Sequence, residues 1–321
     1  MSKILVIGSS NTDLITKVKR FPLAGETITG RFFLQAMGGK GANQALAARR
    51  SGGDVRFVTC LGSDSNGRSA IQYYADEGLD VSRALEVNDA PTGTAVILVN
   101  DEGENIIVLN PGANHRISPT HISNLADDIR TASIVMLQME IPLETVIRVC
   151  EVANEHNVPV MLNVAPATEI DTKLVRRVAY IVVNETEIEA ITRQRIEDVG
   201  EDGVIDQLLT MGATTVILTL GRKGCIVKSV SFRHAVPAFE VETVDSTAAG
   251  DTFCGAMVAQ LSKGRDLVDA IRFATAAAAI CVTRMGAQPS IPSEVEVDNF
   301  LTDCSAHANG QYKKINSGSI F

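Results

Sequence analysis

Ile4–Gly8 (ILVIG) is a short apolar run closed by glycine, and similar runs return at Val55–Leu61, Ile134–Leu137, Val158–Leu162, Tyr180–Val183 and Thr215–Leu220. Unbroken apolar runs of this length are how strands buried on both faces read. Between most of them lie helical patterns, at Gly41–Ser51, Asn66–Glu77, Leu143–His156 and Val199–Met211. This alternation predicts an α/β fold with three layers, a mainly parallel central sheet carrying helices on both faces. The C-terminal third departs from it, because Ala249–Ser262, Leu267–Arg284 and Pro292–Leu301 read as three successive helices. Four further segments look like exposed strands: Asp13–Val18, Glu26–Phe33, Thr94–Asn100 and Asn105–Asn110, the last two joined by the acidic turn Asp101–Glu104. They predict a small sheet standing off the main one, a lid or a partner surface. One domain over residues 1–308 is expected, with lid strands within about 13–36 and 92–112. The polar segment 309–321 (NGQYKKINSGSIF) has no periodicity and is expected to be a loose tail.

Composition narrows the function. With 321 residues, 45% hydrophobic and 21% charged, the chain has the makeup of a globular protein, which excludes disorder and coiled coils. Its 38 acidic against 29 basic residues leave a net charge of −9, a poor match for nucleic acid or an anionic membrane. No apolar stretch reaches the roughly 18–20 residues of a membrane span. Cys60, Cys150, Cys225, Cys254, Cys281 and Cys304 stand too far apart for a Cys-x-x-Cys pair. Scattered cysteines, and a start that enters a strand without a signal-peptide layout, are expected of a cytoplasmic protein.

Several segments can carry chemistry. Asp245–Phe253 (DSTAAGDTF) precedes a helix, and Ala248, Ala249 and Gly250 let the backbone approach a ligand closely. The first N–H groups of a helix lack internal partners and carry the positive end of its dipole, which makes an anion hole suited to a phosphoryl group. Asp251 in that turn either accepts a proton from a hydroxyl beside the phosphoryl group or merely charges the helix start. Gly38–Asn43 (GGKGAN) also opens a helix; either Lys40 and Asn43 donate to sugar hydroxyls or the segment is a glycine turn with a solvated lysine. Asn184–Glu187 (NETE) reads as a reciprocal helix cap or as a place for Glu187 near a Mg²⁺–phosphate assembly. Thr219–Gly224 (TLGRKG) is a strand end and a turn, where α/β folds bind ligands. Gly62–Ser69 (GSDSNGRS) comes within one residue of a phosphate-loop pattern, but Arg68 replaces the lysine and Asp64 puts a carboxylate beside the phosphate. The five histidines show no ligand spacing, and no G-x-G-x-x-G follows Ile4–Gly8, which disfavours a nicotinamide dehydrogenase.

In this order, Gly8–Asp13 (GSSNTD), Gly38–Ala45 (GGKGANQA), Leu137–Glu140 (LQME), Asn184–Glu187, Thr219–Gly224, Asp245–Phe253 and Arg284–Pro292 (RMGAQPSIP) resemble the ribokinase family of ATP-dependent carbohydrate kinases, the phosphofructokinase-B type. The resemblance covers about residues 3–303 and implies phosphorylation of a sugar, D-ribose at O5 above the others, by ATP. It implies Asn11, Asp13, Gly39, Lys40, Asn43 and Glu140 as sugar-binding residues and Asp251 as catalytic base that also touches the sugar. Ala248, Ala249 and Gly250 would form the anion hole. Asn184, Thr219, Gly221, Gly224, Gly250 and Thr275 would lie at ATP, although Thr275 stands where relatives often carry a larger polar residue. Glu187 would order Mg²⁺ indirectly. Asp245, Thr247, Cys281, Arg284, Gly286 and Ser290 would enclose K⁺, several through carbonyls. The lid would also clasp a second copy in a homodimer, with Ile28, Val96 or Leu98 at the contact. Kinases of the same family acting on deoxyribose or a nucleoside, and a non-catalytic sugar-binding regulator, are the alternatives.

Overall fold

The computed structural model describes residues 3–308. The tail expected at 309–321 lies outside the described residues. In chain order the described strands are β1 (Ile4–Ile7), β2 (Asn11–Lys17), β3 (Phe32–Gly38), β4 (Val55–Val58), β5 (Cys60–Gly62), β6 (Leu85–Val87), β7 (Gly93–Val99), β8 (Asn105–Asn110), β9 (Ile134–Leu137), β10 (Val160–Asn163), β11 (Tyr180–Asn184), β12 (Thr215–Thr219), β13 (Cys225–Ser229) and β14 (Arg233–Val236). The main sheet runs β14-β13-β12-β11-β10-β9-β1-β4. It is parallel from β4 to β12, and β13 and β14 turn back antiparallel at one edge. The lid sheet runs β3-β2-β7-β8.

Alternation within the buried strands sends neighbouring side chains into two different cores. Leu5, Ile7, Leu137, Leu162 and Val183 pack with Val149 and Ile188 on one face, whereas Ile4, Val6, Met136, Met161 and Ile217 pack with Ala45, Val258 and Ile271 on the other. Each large side chain so buried contributes about 1.5–3 kcal/mol.

Three expectations need correction. Val55–Leu61 is not one strand: it breaks at Thr59, and β5 leaves the main sheet to pair with β6. The lid strand expected at Glu26–Phe33 starts instead at Phe32. β2 ends at Lys17 opposite Phe32, and the Arg31 N–H closes onto the Lys17 carbonyl at 2.8 Å, so Thr27, Ile28 and Thr29 have no strand to pair with despite their branched side chains. The helix expected over Leu267–Arg284 stops at Cys281, where the chain turns into a loop that becomes part of the site. The hairpin of β13 and β14 was not foreseen at all.

The helices Lys40–Arg50 and Ala249–Ser262 cross on one face of the sheet with almost no space between their backbones. A Cβ on Gly255 would run into the Gln44 carbonyl and lie 2.6 Å from the Ala47 Cβ and 2.7 Å from the Ala48 nitrogen. At the start of the first helix, a Cβ on Gly41 would sit 2.5 Å from the Ser9 nitrogen. Glycines and alanines thus press the first helix against both the end of β1 and the second helix. Gly255→Val should therefore destabilise the fold by about 1–3 kcal/mol through overpacking. A lower urea midpoint at unchanged slope is the expected reading; an unchanged midpoint would show that the crossing has room to spare.

Candidate active site

Asp251 sits in the first turn of the helix Ala249–Ser262, whose N-cap, Ala248, is held in the left-handed region at φ 60°. That conformation costs an alanine about 1 kcal/mol and is found where a site needs it. The first helical bond runs from the Thr252 N–H to the Ala248 carbonyl at 2.8 Å. The Ala249 N–H already bonds to the Ser246 carbonyl at 3.3 Å, so the anion hole expected at Ala248, Ala249 and Gly250 is corrected: Gly250 and Asp251 carry the N–H groups without an intrahelical acceptor.

The glycine-rich turn before Lys40 faces this helix start. Asn43 donates through Nδ2 to Asp251 Oδ2 at 3.0 Å, and Gln44 donates through Nε2 to Asp251 Oδ1 at 2.9 Å. Glu140 Oε2 accepts from the Lys40 N–H at 3.0 Å and from the Ser9 hydroxyl at 2.6 Å. Gly39 holds φ 90° with its Cα face against Ser10 and Asn11, a place for glycine alone. The Lys40 ammonium is held above its ordinary range, chiefly by Asp251 and further by Glu140 and Glu187, against the effect of burial.

Asn11 and Asp13 reach the same place from β2. Asn11 Oδ1 accepts from Asn114 Nδ2 at 2.8 Å, which turns the other end of its amide outward. Asp13 is 8% exposed, and its Oδ1 has no partner among the described residues. Burial first, then Glu140 and Asp251, push its carboxyl up to about 7. An orphaned buried oxygen of this kind asks for a donor from a ligand.

On the other side of the helix start opens a cavity of about 770 Å³ lined by Asn184, Thr219, Gly221, Gly224, Gly250 and Thr275 among others. The cap at Asn184 is formed: its Oδ1 accepts from the Glu187 N–H at 2.9 Å, and Glu187 Oε2 accepts from the Asn184 N–H at 2.8 Å. Glu187 is nonetheless buried, which raises its carboxyl above the usual range, and its other oxygen stays outside the cap. Gly221 and Gly224 have φ of 53° and 97°. The Thr275 hydroxyl is turned onto the Ile271 carbonyl of its own helix at 2.9 Å.

Beside the helix start, Asp245 Oδ1 accepts from the Thr247 hydroxyl and N–H at 2.6 and 2.9 Å, and Oδ2 from the Gly286 N–H at 2.9 Å. Burial raises the Asp245 carboxyl, but these bonds outweigh it and hold the group below the usual range. Cys281 Sγ lies 3.0 Å from Ser290 Oγ and 3.6 Å from the Thr247 carbonyl. The Arg284 guanidinium turns away to Glu296 at 2.5 Å, so only its backbone faces this group. The Gly62–Ser69 loop stands apart. Asp64 spends its oxygens on Gly67 and Thr92, and the Arg68 side chain is exposed and reaches only the Ser63 carbonyl.

The pfkB family of carbohydrate kinases matches the chain over residues 1–294. The chain belongs to this family. It is similar to the ribokinase of Haemophilus influenzae, 39% identical over 93% of this chain and 98% of that protein. The deoxyribokinase of Salmonella typhi is 34% identical over 93% and 98%. Among solved structures, Arabidopsis thaliana ribokinase complexed with ribose and ATP superimposes with a TM-score of 0.88, at 31% identity, covering 94% of this chain and 98% of that one. Ser9, Gln44, Asn114, Gln138, Asn163 and Gln288 join the hydrogen-bond network around Asp251, Glu140 and Asn11 and were not singled out from sequence. The available signal was an amide inside an otherwise apolar run, as in Met136–Met139 (MLQM).

The Asp13 carboxyl has a folded-state value above its unfolded value of 3.8. The native protein therefore holds more protons between about pH 4 and 7, and stability falls as the pH rises through that window. Asp13→Asn should stabilise the protein by on the order of 2–4 kcal/mol at pH 8 and lose that gain by about pH 4. Thermal melts of both proteins across this range check it; a pH-independent difference would contradict it.

Proposed function

We propose that the protein transfers the γ-phosphoryl group of ATP to O5 of D-ribose, with Asp251 as base. The observation that carries this reading is the placement of Asp251. It stands between the orphaned Asp13 carboxylate with Asn11, Lys40 and Glu140 on one side and the 770 Å³ cavity on the other. Phosphoryl transfer asks for positioning and charge stabilisation more than for covalent chemistry. Asn11, Asp13, Gly39, Lys40, Asn43 and Glu140 surround the sugar, and the attacking hydroxyl gives its proton to Asp251. The N–H groups at Gly250 and Asp251 then meet the negative charge that develops on the transferred group. Asn184, Thr219, Gly221, Gly224 and Thr275 line the nucleotide side.

Mg²⁺ bound with the nucleotide would offset phosphate charge, and Glu187 would help order it. Among the described residues no group of three or more histidine, cysteine or carboxylate side chains could hold a metal ion. A cation of this kind is commonly bound through substrate phosphates. The oxygen-rich group at Asp245, Thr247, Gly286 and Ser290, with the Cys281 and Arg284 backbone, suits a hard monovalent cation such as K⁺. Several-fold higher activity in K⁺ than in Na⁺ at matched ionic strength is expected; equal rates would remove the cation from the reading.

The second reading, a deoxyribose kinase, is favoured by the likeness to the Salmonella enzyme. Polar Asn11 beside Asp13 speaks for the fully hydroxylated sugar, because buried groups left unpaired by a missing hydroxyl are penalised. ADP release with a panel of sugars separates the two.

A homodimer joined through the lid is part of this proposal. Phe33, Val96, Ile106 and Val108 lie on the lid face opposite Asp13 and are 63%, 45%, 44% and 63% exposed. Such a face gains by cover. Ile28, expected with Val96 and Leu98 at that contact, lies outside the strands. Light scattering showing a fully active monomer at micromolar concentration would dismiss the clasp.

Asp251→Asn keeps size and polarity while removing the base, so kcat should fall on the order of 10²-fold or more with ATP binding little changed. Arg68→Ala, away from the site, should change kcat by less than about threefold. Near-normal turnover in Asp251→Asn would overturn the assignment.

A further inference from the structure

Four amide side chains stand behind the Asp251 carboxylate in two arms, each two residues long. In one, Gln138 Nε2 donates to Gln44 Oε1 at 2.8 Å, and Gln44 Nε2 donates to Asp251 Oδ1. In the other, Gln288 Nε2 donates to Asn43 Oδ1 at 3.1 Å, and Asn43 Nδ2 donates to Asp251 Oδ2. Gln44 and Gln138 are fully buried, and Gln288 is 1% exposed.

The direction of each arm follows from the chemistry of the amide, which has one acceptor end and one donor end. Gln44 has a second reason to show its donor end to Asp251: the same Nε2 also donates to Asn163 Oδ1 at 3.0 Å. Asn163 in turn is oriented by its own donation to the Val182 carbonyl at 3.1 Å. A donor from Gln138 occupies Gln44 Oε1 and blocks the flipped amide. The outer oxygens, Gln138 Oε1 and Gln288 Oε1, have no partner among the described residues. Gln138 thus uses its donor inward while its buried acceptor goes unsatisfied, and Gln288 does the same while its amide also meets the Tyr74 hydroxyl; leaving an acceptor unpaired costs stability.

We propose that Gln138 and Gln288 are positioning residues for phosphoryl transfer, which fix the donor ends of Gln44 and Asn43 on Asp251 and so hold the base carboxylate in one orientation. The proposal rests on the reading of Asp251 as the base. Gln288 lies in the loop that follows Cys281, so the same arm ties that loop to the carboxylate.

An isosteric change of charge inverts an arm. In Gln138→Glu the ionised carboxylate demands a donor, which Gln44 supplies by turning Oε1 toward Asp251, whereas the neutral acid still donates to Gln44 Oε1. The loss should therefore grow as the pH is raised through the titration of the new group. In Gln138→Met no inversion is demanded. The expected result is a fall in kcat of about tenfold or more for Gln138→Glu and of about threefold for Gln138→Met, with KM for ATP within about twofold in both. In a Gln44→Met background, Gln138→Glu should add less than about twofold, because the route through Gln44 is gone. Wild-type kcat in Gln138→Glu, equal losses in the Glu and Met variants, or an undiminished effect in the Gln44→Met background would overturn the proposal. Should Gln138→Glu fail to fold, Gln288→Glu against Gln288→Met, in an Asn43→Leu background, applies the same test to the other arm. Asp251→Asn is run beside them. If it retains turnover, the base reading fails; if it is inactive while the glutamate variants turn over normally, only the arms fail.

Discussion

The close crossing of the helices Lys40–Arg50 and Ala249–Ser262 sets the distances in the site. Hydrogen bonds of 3.0 and 2.9 Å from Asn43 and Gln44 to Asp251 need two helix backbones nearer than ordinary side chains allow. Gly255, Ala47 and Ala48 provide that approach, and Gly41 seats the first helix on the end of β1. Packing and chemistry are here the same constraint. A side chain added at the crossing moves the amides away from the carboxylate, and a shift of about 1 Å is enough to degrade a positioned reaction.

Four carboxylates, Asp13, Glu140, Glu187 and Asp251, share one region with the half-buried cation Lys40. The effects are divided unevenly. Glu140 and Asp251 are paired with N–H and amide donors, whereas Asp13 keeps an oxygen without a partner and is pushed toward neutrality. Stability is given up at the carboxylate that keeps a buried oxygen without a partner among the described residues, a trade commonly made by binding sites. Asp251 belongs both to this group and to the first turn of the helix Ala249–Ser262, so the carboxylates and the anion-favouring helix start share one residue.

The lid shows how one short sheet serves two demands. Strand alternation places Asp13 and its neighbours toward the site and Phe33, Val96, Ile106 and Val108 away from it. Among the described residues, both sets lie on strands that pair only with one another. Among the described residues the lid sheet shares no strand pairing with the main sheet; its link to the site passes through side chains such as Asn114, which bonds Ser10 and Asn11 at the root of β2.

Hydrophobic period is a local property, and the alternation of buried strands and helices was legible from the chain alone. So were the turn Ala248–Asp251 and the glycine run before Lys40, because helix starts and close backbone approach have local signatures. Pairing is not local. β3 begins at Phe32 because β2 ends at Lys17, and Thr59 divides its run because β5 finds β6; neither partner can be read from the residues themselves. The same holds for the site. Asn43 and Gln44 lie 208 and 207 residues from Asp251, and Gln138 and Gln288 come from a strand end and a loop that no spacing rule connects. The sequence by itself determined the kinds of element and the chemistry available at each turn, since these follow from side-chain type and period. Only the tertiary structure decided which amides face the carboxylate and which ends they present, because that depends on backbones brought together across the sheet and on hydrogen bonds that have direction.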